Sequence, residues 1–525
     1  MRKILLWSFS AGLLGLCVYL QAGPSRAQDD GVKIRVRLMD ADGGKPVPGI
    51  VRVFRAGEDK PLALPGLYDR LRGLKPTATL AGWSVVPAAG AETTLPRAKV
   101  RIEAVSGLET VLAVEEIDLG KKPSEEVAVK LKTLFRPERS DLVAGNTHLH
   151  LMNLTAEDSD EYLKQVPAAD RLKVLFISYL ERIKEDVNYI TNRYAIGDLK
   201  QFDVTGVLMN NGEEHRHNFG SHGEGYGHVM FLNINRLVKP VSLGSGITGA
   251  GDDDRPLRPG IEDARNQGGT VLWCHNASGF EGVPNTLAGR INALNVFDGT
   301  RTGTYEDSYY RYLNIGLRLP ISTGTDWFLY DFSRVYAKVS GRLTVPKWLE
   351  AVKAGRCQAT NGPLLTLSVD GKEPGDVITL DEPKTVRVEV TATGRHDFQK
   401  LQLVQNGRVV LEESGKLQDG VCAGRLAREV RLDGPAWFAA RIDSSAKNEL
   451  DRQLFAHTSP VYIDFAGKRV FDVEAGRLML RRIEQAEEEI RNRGKFGDDA
   501  ARDKILAIYQ ETSKELVKRI GRRGK

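Results

Sequence analysis

Between residues 141 and 362, short apolar runs alternate with helix-like stretches, and that rhythm constrains the fold more than any other feature. The runs cover residues 142–149, 174–178, 206–209, 228–234, 270–275, 294–297 and 321–325. Helical periodicity appears between them at 159–166, 180–194, 260–267 and 308–317. Strands spaced by helices are the mark of an α/β domain. Seven such units predict a (β/α) barrel of parallel strands. In barrels of this kind the chemistry gathers beyond the C-terminal ends of the strands.

The polar residues obey that rule. His148 and His150 end the first run, and at i and i+2 on a strand their rings share one face. Glu213 and Glu214 follow the third run, His275 ends the fifth and Asp326 follows the seventh. His228 opens the fourth, so it reaches the same face from a loop edge. Of nine histidines, seven lie between His148 and His275, which a random scatter over the surface would not produce. Imidazole and carboxylate together suit Zn, Mn or Fe, whereas Ca and Mg prefer oxygen alone.

The stretch from Glu214 to His228 also carries His215, His217, His222 and Glu224, with glycines at 220, 223, 225 and 227. If the chain stays extended there, His215 faces away from Glu214. The glycines let the loop fold tightly over a site or move as a lid. His217 and His222 are the candidates for substrate contact or proton transfer. Arg301 and Arg334 lie near strand ends and could hold an anionic group, but arginines so placed are more often in structural ion pairs.

On either side of this region the period falls to two. Val32, Ile34, Val36 and Leu38 alternate with charged residues, and Val51, Val53, Val100, Ile102, Val127 and Val129 continue the pattern. Half-buried antiparallel strands, hence a β-sandwich over 31–135, are expected. Alternation resumes in Leu365, Leu367 and Val369 and again in Val386, Val388 and Val390, before an Asn406-Gly407 hairpin turn. That predicts a second β-sandwich over 363–466. Apolar stripes at Met479, Ile483 and Ile490, then Ile505, Tyr509 and Leu516, predict a helical hairpin over 470–525 that docks on the body.

The first 27 residues read as a signal peptide. Arg2 and Lys3 precede an apolar run, and Ser25-Arg26-Ala27 supplies a small-x-small exit. An uncleaved anchor is the alternative, but the run is short for a span. The expected product is exported, periplasmic or secreted, with no membrane span after cleavage. Cleavage removes three bases and no acid, so the net charge of +5 becomes +2. That balance gives no indication of a nucleic-acid partner. Cys274, Cys357 and Cys422 form neither a disulfide framework nor a metal motif.

Taken together, Gly145-Asn146-Thr147-His148-Leu149-His150, Gly212-Glu213-Glu214, Gly227-His228, Trp273-Cys274-His275-Asn276 and Gly324-Thr325-Asp326-Trp327-Phe328 resemble the PHP metallohydrolases. These are the polymerase and histidinol phosphatase superfamily. Arg334-Val335-Tyr336 and Ala359-Thr360-Asn361-Gly362-Pro363 resemble its CehA/McbA-like branch, and the likeness runs over about residues 31–465. The resemblance implies a distorted seven-stranded (β/α) barrel of PHP type. It also implies one metal on His148, His150, Glu214 and Asp326, and a second on Glu214, His228 and His275. Three-metal members carry further histidines where this chain has Tyr179-Leu180 and Trp327, so two divalent ions are expected. Two metals sharing a carboxylate make hydroxide available near neutral pH. The resemblance therefore implies a hydrolase acting on a small molecule through a phosphoester, or through a carbamate, ester or amide bond. A catalytically silent barrel serving as a surface-binding module is the alternative from another class.

Overall fold

The computed structural model describes residues 31–74, 82–121, 125–181, 189–218, 225–244, 253–299 and 303–523. The expected signal peptide, His222, Arg301 and residues 182–188 of the expected helix at 180–194 lie outside these residues; of the rest of that stretch only Ile190–Arg193 is helical, as a short 3-10 turn. No helix among the described residues is long and apolar enough to cross a membrane.

The fold is mixed α/β, built on a strongly curled mixed sheet that forms a half-barrel. Seven strands carry the predicted rhythm: β1 (Leu142–His150), β2 (Val174–Tyr179), β3 (Leu208–Asn218), β4 (Gly227–Leu232), β5 (Thr270–Trp273), β6 (Ala293–Asn295) and β7 (Ile321–Ser322). β1, β2 and β3 run parallel, as do β5, β6 and β7. The expectation of an all-parallel set fails at β4, which is antiparallel to both β3 and β5. The connection from β3 to β4, residues 219–226, is too short for the crossover that parallel neighbours need, so the chain turns straight back. β3 also begins later and runs further than residues 206–209, taking in the whole Glu213–His217 stretch. After β7, the short strand Asp326–Trp327 pairs parallel with the end of β1.

On its other side β1 pairs with Arg334–Lys338, and the sheet runs on through Cys357–Thr360 to Ala456–Thr458 and Ala436–Asp443. It ends with Lys400–Gln405 and Arg408–Ser414. A four-stranded antiparallel sheet (Leu364–Val369, Lys384–Gly394, Val421–Leu432, Lys416–Gln418) faces this extension. Leu365, Leu367, Val388 and Val390 meet Leu403, Phe438 and Ile463 in one core. The second of these sheets is separate and antiparallel, while the strands it faces are continuous with the curled sheet through the Cys357–Thr360 pairing.

At the N-terminal end a three-stranded and a five-stranded sheet close on Ile34, Val36, Val51, Val53, Ile102 and Val129. The antiparallel expectation is corrected in one pair, since Val32–Asp40 and Glu126–Leu131 run parallel.

Local chemistry places the helices. α1 (Ala156–Ala169) starts at Thr155, whose hydroxyl accepts from Asp158 N, and carries Glu157 and Asp158 in its first turn. It buries Tyr162, Leu163 and Val166 against Leu149 and Leu151 beside the end of β1. Tyr162 Oη then accepts from Leu329 N (2.7 Å), tying down the loop that follows Asp326. Arg70, from the N-terminal sheets, binds Asp170 through two nitrogens and donates to Leu329 O (2.6 Å). The C-terminal helices Val473–Arg493 and Asp499–Arg523 pair as expected. Met479, Ile483, Ile490, Tyr509 and Leu516 share a core with Tyr309 and Leu313 of the body.

Candidate metal centre

His148 and His150 end β1, fully buried, with their rings turned to the inside of the curl. The backbone behind them is pinned. Asn146 Nδ2 donates to Thr325 Oγ1 (3.2 Å) and to Ser333 O (3.3 Å), while its Oδ1 accepts from His148 N (3.0 Å). Thr147 Oγ1 donates to Thr323 O (2.8 Å). Gly324 admits no side chain, because a Cβ there would lie 2.4 Å from His148 Cβ. These contacts hold the segment leading to Asp326 against the end of β1.

Glu214 stands between two groups of side chains. Its Oε2 lies 3.1 Å from His150 Nε2 and 3.8 Å from His148 Nε2, and Asp326 Oδ1 lies 3.6 and 3.5 Å from the same two nitrogens. Its Oε1 lies 3.3 Å from His228 Nδ1 and 3.5 Å from His275 Nε2. One group is thus His148, His150, Glu214 and Asp326; the other is Glu214, His228 and His275. Within each, the ligand atoms fall within 4.8 Å of one another. The structure brings together all six expected residues.

The outward-facing ring nitrogens are already engaged. His148 Nδ1 meets Asp298 Oδ2 (2.7 Å), His150 Nδ1 meets Ser178 O (3.0 Å) and His228 Nε2 meets Asn218 Oδ1 (2.9 Å). An acceptor at one nitrogen fixes the proton there and leaves the other nitrogen's lone pair for an ion. Asp298 is itself held by Asn295 Nδ2 (3.1 Å). With His148 and Cys274 it makes a third group of metal-capable side chains, but this group uses the Nδ1 side of His148 rather than the side facing Glu214.

The centre fits metal ions by its unsatisfied atoms as well as by its donors. Among the described residues, His228 Nδ1 and Asp326 Oδ1 are sealed from solvent without a hydrogen-bond partner. Buried polar atoms in that state are costly unless something completes them. Charge follows the same plan. Burial would raise the Glu214 carboxyl, but Arg216 and the neighbouring imidazoles of His148, His150 and His228 hold it well below the usual range. Burial, with Arg216 beside it, pushes His228 down to about 3, so its lone pair is free at neutral pH. His275 moves the other way: burial would lower it, yet Glu214, Asp326 and Asp298 hold it up to about 9. An ion entering there displaces that proton.

Backbone strain collects at the same place. His275 (φ 53°), Asn276 (φ 56°), Phe297 (φ 57°), Asp326 (φ 62°) and Phe328 (φ 61°) all occupy the left-handed region without being glycine. Each costs on the order of 1–3 kcal/mol and persists only where the surroundings enforce it. On one flank Trp327 packs against His150 and Tyr189, with ring centroids 5.2 Å away in both cases. An indole fills the position beside His150.

One further expectation is corrected. His217 lies on the opposite face of β3 from Glu214, where its Nδ1 bonds Arg255 O and its ring meets Tyr226. Strand alternation separates residues 214 and 217. Arg334 is fully buried and bonded to Phe332 O (2.9 Å) and Asp170 O (2.8 Å), so it is structural. Asp298, Asn218 and Arg216 were not among the expected site residues. Asp298 follows a strand end, as Asp326 does, and the same rule would have found it.

No protein-family model matches this sequence, and no curated protein matches it significantly.

Proposed function

We propose that this protein is a metal-dependent hydrolase of the PHP type, exported after cleavage of residues 1–27, that acts on a small molecule. The observation that carries the reading is the divergence of the two Glu214 oxygens toward separate sets of imidazole and carboxylate ligands. A carboxylate so placed could be shared by two ions. The order of strands β1 to β7, with one antiparallel member, supports a distorted seven-stranded barrel of that family. Two divalent ions, Zn, Mn or Fe, would be held by His148, His150, Glu214 and Asp326 and by Glu214, His228 and His275. When bound, such ions supply hydroxide near neutral pH and polarise a substrate oxygen. The chain's own part is to orient the ligands through Asp298, Ser178 O and Asn218, and to exclude water with Trp327 and Tyr189. The bond cleaved is a phosphoester, or a carbamate, ester or amide.

Elemental analysis of chelator-free protein should give close to two equivalents per chain. Turnover in a screen of phosphate mono- and diesters beside aryl carbamates and esters should vanish with chelator. No metal uptake with all six ligands intact would falsify the hydrolase reading and leave a surface-binding module in its place.

A further inference from the structure

Arg70, Arg334 and Arg395 are buried, and each is held by short hydrogen bonds. Arg70 binds Asp170 and Leu329 O. Arg334 binds the carbonyls of Phe332 and Asp170. Arg395 grips Glu449 through two nitrogens (2.6 and 2.8 Å) and donates to the carbonyls of Gly107 and Thr110.

Arg216 is the exception. Its side chain is only 11% exposed, and its Nε is sealed without a partner. Among the described residues the one polar contact of its guanidinium is a 3.7 Å approach of Nη1 to Glu214 Oε1. A guanidinium has five donors and a charge it does not lose, so burial with one long contact is unfavourable. That single partner is also contested. Oε1 is the oxygen that faces His228 and His275, and an ion held there would take its lone pair and add positive charge beside Arg216. Arginine and ion together need an anion that the described residues do not provide.

We propose that Arg216 is a specificity-determining residue that receives a charged oxygen of the substrate, so that the centre acts on substrates bearing an oxyanion at or beside the scissile bond. Phosphoryl and carboxylate groups share the required chemistry, since both match the guanidinium fork. The inference rests on the metal-centre reading above and narrows it, because neutral carbamates, esters and amides would leave Arg216 without a partner.

The test is calorimetric titration of inorganic phosphate, and in parallel acetate, into the metal-loaded full chain. Wild type, Arg216→Gln and Arg216→Lys are compared, with metal content measured for each. All three should hold the same metal. Arg216→Gln should bind the anion about ten- to a hundredfold more weakly, and Arg216→Lys, which keeps the charge but loses the fork, should fall between. Dependence on Arg216 for phosphate assigns a phosphoryl group, and dependence for acetate a carboxylate. The ratio of kcat/KM for 4-nitrophenyl phosphate over 4-nitrophenyl acetate should fall in the glutamine variant. Undiminished anion binding in Arg216→Gln with its metal retained overturns the proposal. Loss of metal in that variant alone also overturns it, since Arg216 would then be a support for Glu214. A wild type that takes up no metal overturns the metal-centre reading itself, and this inference with it.

Discussion

The two faces of β3 carry nearly the same side chains and do opposite things with them. On the outer face Glu213 Oε1 meets His215 Nδ1 (3.0 Å), Glu213 Oε2 accepts from Val238 N (2.7 Å), and His217 bonds Arg255 O. On the inner face Glu214, Arg216 and Asn218 converge with residues from β1, β4, the turn after β5 and the segment after β7. There, atoms such as His228 Nδ1 and Asp326 Oδ1 lack partners. Residue type does not separate the two faces. What separates them is convergence: Glu213 meets one histidine and a backbone amide, whereas Glu214 faces His148, His150, His228 and His275 together. A buried polar group with its bonds made is architecture, and convergent groups with bonds unmade are a site.

The sharpest way to break this comparison is to remove each acid in turn. Glu214→Ala should strip the ligand common to both groups. Its cost in metal affinity and turnover should exceed the roughly 10–100-fold typical of losing an outer-shell partner. Glu213→Ala should keep its metal and lose about 1–3 kcal/mol of stability, because Val238 N and His215 are left without their acceptor. Elemental analysis and urea unfolding of both variants check this. Equal loss of metal would mean that the two faces are not distinct.

A smaller effect is expected one shell out. Asp298→Asn preserves shape but removes the charge that holds the His148 ring, whose Nδ1 lies 2.7 Å from Oδ2. Metal affinity should fall about 10–100-fold, measured by competition with a chromogenic chelator. An unchanged affinity would show that the His148 tautomer is set by something other than Asp298.

The same comparison explains how much of the site was legible in the sequence. Five of the six candidate ligands are readable because a strand-end rule ties chemistry to topology, and four segments obey it; His228 opens its strand instead. The antiparallel setting of β4 was not readable from apolar runs, since a buried strand looks the same in either direction. The limits of β3 were missed for a related reason. Asn210 to Asn218 is polar throughout, and polarity masks a strand whose side chains are satisfied by neighbours distant in sequence. Had that stretch been read as extended, alternation would have put Arg216 with Glu214 and sent His217 to the other face along with His215. Arg334 is structural, the reading favoured for an arginine so placed, but its partners, the carbonyls of Phe332 and Asp170, exist only in the folded chain.

The smallest effect belongs to His217. If a histidine from the 214–228 stretch swung in to rebuild a third metal position, His217 would be the one described residue able to do so. Its geometry argues against that. The ring is buried on the outer face, its Nδ1–H donates to Arg255 O, and it packs edge-on against Tyr226 with centroids 4.8 Å apart. Carrying it to the inner face would break the β3–β4 pairing at His217 and Gly227. The place it would have to occupy beside His150 is already filled by Trp327. His217→Ala should therefore hold the same two equivalents of metal as the wild type and turn over at a similar rate. Its stability should drop by about 1 kcal/mol for the lost hydrogen bond, with a further contribution from the cavity left beside Tyr226. Elemental analysis with a urea midpoint decides it. Three equivalents in the wild type falling to two in His217→Ala would place His217 in the site and erase the distinction between the two faces of β3.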